Sequence, residues 1–223
     1  MTFAYLLDTE TTGKVDPEPV EIAWVKLASP LELEPVASFS ARYKPSKRIE
    51  LGALAVHHIL DEDVADCPPH FDFVFPTDCE YLIGHNIDYD WKVLAQPPVK
   101  RICTLALCRS FYPTLDSHTQ SAMMYHLVRD HAQSLLRNAH SAEADVENCL
   151  IILRALLTST LDTCQTWEQL WKVSELARIP QRAPFGKYKD QPIASIPRQY
   201  ALWAMRQSDF DPYFLQAMKE TCL

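Results

Sequence analysis

A chain that opens with Phe3-Ala4-Tyr5-Leu6-Leu7-Asp8-Thr9-Glu10-Thr11-Thr12-Gly13 has little choice about where that segment goes. Five apolar residues in succession suit a central strand buried on both faces. The run then stops in two acids. Because side chains alternate along a strand, Asp8 and Glu10 leave on one side and Thr9 on the other. Carboxylates paired at a strand end must be protonated, hydrogen-bonded or bound to a hard divalent cation. Taken alone, D-x-E also fits a strand that ends in a polar turn, so further ligands have to come from elsewhere in the chain.

At 223 residues the chain fits one domain, or one domain with a small appendage. No window approaches the long uncharged apolar stretch of a membrane span, so no membrane partner is expected. The first residues lack a basic leader and an apolar core before a cleavage site. Seven cysteines, an odd number, form neither a disulfide framework nor a paired zinc pattern. Both observations point to a cytoplasmic protein. The formal charge of -8 argues against nonspecific coating of nucleic acid. It leaves room for an enzyme that grips one strand end with local basic patches around an acidic centre. The four glycines make no G-x-G-x-x-G or phosphate-binding loop.

Residues 20–27 and 36–43 read as the second and third strands of an antiparallel meander. Lys44, Lys47 and Arg48 around Pro45 form a solvated loop or a phosphate-facing patch. A short helix is expected over residues 51–59, with Asp61-Glu62-Asp63 opening the next. The compact strand Tyr81-Leu82-Ile83-Gly84 leads into His85-Asn86-Ile87-Asp88-Tyr89-Asp90-Trp91 and a helix. On a 3.6-residue repeat Asp90 shares a face with Val93 and Leu94, and Asp88 lies opposite. Asp90 therefore faces the core and Asp88 faces water. Ile102-Cys103-Thr104-Leu105 reads as another strand, followed by helices to about residue 129. A long helix starts at the N-cap Ser141 and runs through Leu157, with Asp145, Cys149, Ile152 and Leu156 on one stripe. His140 falls on the preceding loop, an imidazole beside a fixed acid.

Asp8, Glu10, Asp90 and Asp145 thus come from three elements, each read as facing inward. Four acids and one histidine suit two divalent ions, which at about 4 Å separation stabilise both oxygens of an in-line phosphoryl displacement while a base activates water. Oxygen ligands favour Mg2+ or Mn2+ over zinc. A module that only binds nucleic acid has no need of such a set.

The motifs Asp8-Thr9-Glu10-Thr11-Thr12-Gly13, His85-Asn86-x-x-Tyr89-Asp90 and His140-x-x-x-x-Asp145 resemble, in order and spacing, those of the DEDDh 3'-5' exonucleases of the ribonuclease H-like fold. The resemblance implies an α/β protein, a mixed sheet flanked by helices. It implies Asp8, Glu10, Asp90 and Asp145 as metal-site carboxylates and His140 as general base. Thr11, Asn86 and His57, the last within Ala55-Val56-His57-His58-Ile59, would lie near the terminal nucleotide. The expected activity is removal of nucleoside 5'-monophosphates from the 3' end of single-stranded or duplex DNA, in repair or processing, with RNA as the rival substrate. A catalytically silent nucleic-acid-binding module on the same fold is the reading from another class. The resemblance extends, in one bacterial exodeoxyribonuclease group, through Trp167-Glu168-Gln169-Leu170 to Phe185-Gly186-Lys187-Tyr188-Lys189, Tyr200 and Trp203, with Asp190 standing where that group has glycine. It implies an exonuclease domain over residues 1–160, a helical connector over 161–184 and a small module over 185–223. Read as a local strand, Lys187 and Lys189 would share one side and Tyr188 the other.

Overall fold

A computed structural model describes every residue except Met1, Ala139 and Ser208. The chain divides into two compact units, residues 1–174 and 175–223. In the first, the strands β1 (Phe3–Thr11), β2 (Pro19–Leu27) and β3 (Pro35–Arg42) form the antiparallel meander. The helix α1 (Leu51–His57) and two 3-10 turns, Asp61–Val64 and His70–Asp72, lead to β4 (Cys79–Gly84). Then come α2 (Asp88–Val93), β5 (Lys100–Cys103), α3 (Thr104–Phe111), α4 (Gln120–Leu127), α5 (Arg129–Leu135), a 3-10 turn over Leu136–Asn138, α6 (Ala142–Ser159) and α7 (Trp167–Ala177). Among the described residues the strands make one mixed sheet in the order β3-β2-β1-β4-β5, with β1, β4 and β5 parallel to one another.

The centre of that sheet is where the first residues predicted it. Leu6 and Leu7 are wholly buried, each contributing about 2 kcal/mol by leaving water. Gly84 ends β4 flush against β1, because a side chain there would lie 2.9 Å from the Leu7 carbonyl oxygen and 2.8 Å from Ile87. That close approach lets the β4–α2 turn bring Asp90 beside the end of β1. The long α6 packs on β1 and β2 with Ile152, Leu153 and Leu156 fully buried. Its N-cap Ser141 accepts from the Ala144 backbone N–H at 3.3 Å.

Local expectations meet two corrections. The fifth strand is Lys100–Cys103, and Thr104 already opens α3, its hydroxyl 3.2 Å from the Gly84 carbonyl in place of a further ladder bond. Helix also continues past residue 129 into α5. In the loop after β3, Lys44 donates to the Ala65 carbonyl at 2.9 Å and Lys47 to those of Val15 and Asp16. The bulk of Trp91 is explained by packing. Its Nε1 donates to the Pro97 carbonyl at 2.8 Å and the Arg101 guanidinium lies 3.9 Å from its ring centroid. The first unit runs past residue 160 because Trp167, Leu170 and Ser174 are buried within it, the Ser174 hydroxyl accepting from the Cys103 N–H at 2.8 Å.

The second unit has a core of its own, built from Ala183, Ile193, Ile196, Ala201, Ala204, Phe214, Ala217 and Met218. Its elements are the 3-10 turns Gly186–Tyr188 and Ile193–Ser195, then α8 (Arg198–Ala204) and α9 (Pro212–Cys222). The local strand expected at Lys187-Tyr188-Lys189 is therefore a 3-10 turn. Gly186 takes φ +76° and the Tyr200 hydroxyl comes within 3.3 Å of where a β-carbon would stand, a geometry suited to glycine. Asp190 adopts φ 65°, one of the few non-glycine residue types that tolerate this region, so the turn keeps its form without the glycine.

Candidate active site

The carboxylates of Asp8, Glu10 and Asp145 offer oxygens that all lie within 4.8 Å of one another. Strand alternation supplies the first two and the first turn of α6 the third. Asp90 stands beside them, 5% exposed, on the inward face of α2. Its Oδ1 accepts from the Thr9 N–H at 3.0 Å and the Thr9 hydroxyl at 2.7 Å. It thereby caps β1 beyond Leu6, the last residue paired with β4. Asp88, turned outward, pairs with Arg101.

The electrostatics follow from crowding. Burial raises the Asp8 carboxyl well above the usual range, and the charges of Asp90, Asp145, Glu10 and Glu21 raise it further. Glu10 is pushed up to about 8 by burial, then by Asp145, Glu21 and Asp90. Asp90 is raised by burial against the lowering effect of its Thr9 hydrogen bonds. Asp145 is raised by burial too, opposed by His140 and Asn148. The leading charges acting on Asp8 and Glu10 are other carboxylates. A hard cation is the partner such a set lacks. Asn148 is buried on α6 three residues along from Asp145, and its side chain bears on that carboxylate. An all-oxygen donor set fits a hard divalent ion with its hydration shell.

His140 is exposed on the loop before α6, in the left-handed region at φ 71°, and its backbone N–H donates to Asp145 Oδ2 at 3.2 Å. Main chain thus ties the imidazole's position to the acid. The other expected substrate residues are placed differently. The Thr11 hydroxyl is buried, 3.2 Å from the Gly13 carbonyl and 2.6 Å from the Tyr89 hydroxyl. His57 accepts from the Ile59 N–H through Nδ1 at 3.0 Å and lies 3.2 Å from the Thr11 carbonyl through Nε2. Both ring nitrogens are engaged, and burial lowers its pKa. Asn86 is exposed with φ 76° at the turn into α2.

Residues not anticipated from the sequence complete the surroundings. Glu21 is 7% exposed and stands opposite Glu10 across the β1–β2 ladder. Its Oε2 accepts from the Ala142 N–H at 2.8 Å and its Oε1 from Arg42 Nε at 3.1 Å, anchoring the start of α6 to the sheet. Gln120 donates to the Asp145 carbonyl at 2.6 Å. Asn148 carried a signal, three positions after Asp145 on the same helical face. Glu21 and Gln120 carried none, because strand register and helix docking are not local patterns.

Residues 6–153 match a family model described as "Exonuclease". Residues 172–215 match a second, described as "Putative quorum-sensing-regulated virulence factor". The chain is 26% identical over 213 residues to Exodeoxyribonuclease 10 of Escherichia coli strain K12, spanning 92% of this chain and 91% of that protein. A structure of Exonuclease X in complex with 5' overhanging duplex DNA superposes with TM-score 0.59 and 26% identity, over 77% of this chain and 99% of that one. The nuclease domain of 3'hExo, a DEDDh family member bound to rAMP, superposes at TM-score 0.55 and 15% identity, over 74% and 94% of the two chains. At that identity the likeness speaks for the ribonuclease H-like fold alone.

Proposed function

The chain belongs to the exonuclease family, and from that premise we propose that it removes nucleotides from the 3' end of DNA as nucleoside 5'-monophosphates, at the acidic end of β1. The observation that carries this reading is the convergence of Asp8, Glu10 and Asp145, with Asp90 beside them and carboxylates as the leading charges that act on Asp8 and Glu10. Asp8, Glu10, Asp90 and Asp145 would hold two divalent cations, Mg2+ or Mn2+, whose chemistry when bound is to stabilise the attacking and leaving oxygens of an in-line displacement. His140 accepts a proton from the attacking water; its exposure leaves the ring open to solvent, and the bond from its N–H to Asp145 sets where it sits. Asp90 holds the β1 end in shape while presenting charge to it. Glu21 and Gln120 position α6 and with it Asp145.

DNA is favoured as substrate by the identity to Exodeoxyribonuclease 10 over nearly the whole chain. Among the described residues no helix is long and apolar enough to cross a membrane. Labelled single-stranded DNA, duplex DNA and RNA of one sequence, digested in parallel with Mg2+, test the proposal. The expected result is higher kcat/KM on DNA and no digestion in EDTA. A preference for RNA would move the assignment to exoribonuclease, and undiminished activity in EDTA would remove the metal from the account.

A further inference from the structure

The second unit holds cations that nothing in the fold uses. Lys187, Lys189, Arg198 and Arg206 are exposed, and with Lys219 they take part in no ion pair or side-chain hydrogen bond among the described residues. The acids of the same unit are largely committed. Asp211 caps α9 by accepting from the Tyr213 and Phe214 N–H groups, Glu175 accepts from the Tyr213 hydroxyl and pairs with Arg178, and Glu220 accepts from Gln216. Solvated lysines alone would be ordinary surface. Here they flank a ladder of aromatic rings.

Tyr188 and Tyr200 meet edge to face with centroids 4.8 Å apart, and Tyr200 and Trp203 follow at 5.1 Å. The ladder surfaces at Trp203, 47% exposed, next to the exposed Leu202. Lys187 Nζ lies 5.3 Å from the Tyr188 ring centroid at one end. Arg206 follows Trp203 by one turn at the other, its N–H bonded to the Trp203 carbonyl at 3.0 Å. An exposed indole at the end of a half-buried aromatic ladder, with Lys187 at one end and Arg206 at the other, matches the alternation of base and phosphate in a single strand. A duplex, whose bases are stacked away, offers no face to Trp203.

We propose that the second unit is a single-stranded nucleic-acid binding site, separate from the acidic centre, in which Trp203 stacks on a base and Lys187 and Arg206 contact phosphates. From the preceding reading it takes only that the enzyme meets nucleic acid. The second family match, over residues 172–215, covers these residues and leaves their ligand open.

Binding of fluorescein-labelled dT20 with phosphorothioate linkages to the full chain, followed by anisotropy in EDTA, tests it without hydrolysis. Failure of the metal-centre reading would leave this readout intact. Lys187→Ala with Arg206→Ala should weaken binding about tenfold and flatten the log K against log salt slope by about 1.4, roughly 0.7 for each cation removed from a single-strand contact. Trp203→Ala should weaken binding about fivefold with the slope unchanged, and Trp203→Phe should restore most of the loss. Melting temperatures are measured on every variant, so that only folded protein is compared. Wild-type affinity and salt slope in the folded double variant, or no dT20 binding by the parent chain at low salt, would overturn the proposal.

Discussion

The acidic end of β1 and the aromatic ladder of the second unit handle charge in opposite ways. Residues 1–174 hold 14 Lys and Arg against 24 Asp and Glu, whereas residues 175–223 hold 7 against 5. In the first unit many cations are tied to acids or carbonyls while like-charged carboxylates are crowded into a buried cluster. In the second most acids are engaged, while Lys187, Lys189, Arg198, Arg206 and Lys219 make no ion pair or side-chain hydrogen bond among the described residues. A cluster that repels itself is held together at a cost in stability and calls for a small hard cation. An exposed set of unpaired cations costs little and calls for a diffuse anion. The overall charge of -8 conceals both.

The sharpest test of this contrast substitutes one acid of the cluster. Asp8→Asn removes a ligand and a repelling charge together. Activity in Mg2+ should fall about 10³-fold or more, while the melting temperature of the metal-free protein rises. A lower melting temperature would show that the cluster is not under repulsion. Next in size is the separation of the two acids on α2. Asp90→Ala should lower kcat about 10²-fold or more, and Asp88→Ala, which breaks the outward-facing pair with Arg101, should leave activity within about threefold of the parent. Equal losses would mean that the helical phase does not govern their roles.

Those two acids also show what the sequence could disclose. Alternation in β1 and the phase of α2 and α6 are local, so the inward orientation of Asp8, Glu10, Asp90 and Asp145 was readable from spacing, while their role as metal ligands came from the resemblance. Glu21 was not, because β2 is buried almost without interruption from Pro19 to Ala23 and its pattern does not say which residue stands opposite Glu10. The hydrogen bonds by which His57 and Thr11 join α1 and the turn after β1 were not legible in the sequence, because only the folded backbone brings those partners together. The Lys187-Tyr188-Lys189 alternation was too short to tell a strand from a 3-10 turn. Tyr200, distant in sequence, sits against Gly186 there.

Smaller effects should come from the support of α6. Glu21→Gln keeps an acceptor for the Ala142 N–H and should retain most activity, whereas Glu21→Ala should lower kcat about tenfold. Similar kcat values for the two would remove Glu21 from the positioning of Asp145. Smallest is the pH response. The carboxyl of Glu10 is raised in the folded state to about 8, so the protein binds more protons folded than unfolded below that value. Its contribution to stability is complete below the unfolded pKa, near 4.5, and is lost as pH rises through about 8. The metal-free melting temperature should therefore fall by about 5 °C or more between pH 5 and pH 8, and Mg2+ should restore more of it at the higher pH. A flat profile would contradict the crowding of the cluster.

The central claim is that the acidic end of β1 is where nucleotides leave a 3' end. It is tested most directly by the first product released from a 3'-labelled DNA strand in Mg2+. The parent protein should release labelled nucleoside 5'-monophosphate from the earliest time points, and Asp8→Asn should release almost none. Labelled fragments of several lengths at early times, or mononucleotide release by Asp8→Asn at the parent rate, would contradict it.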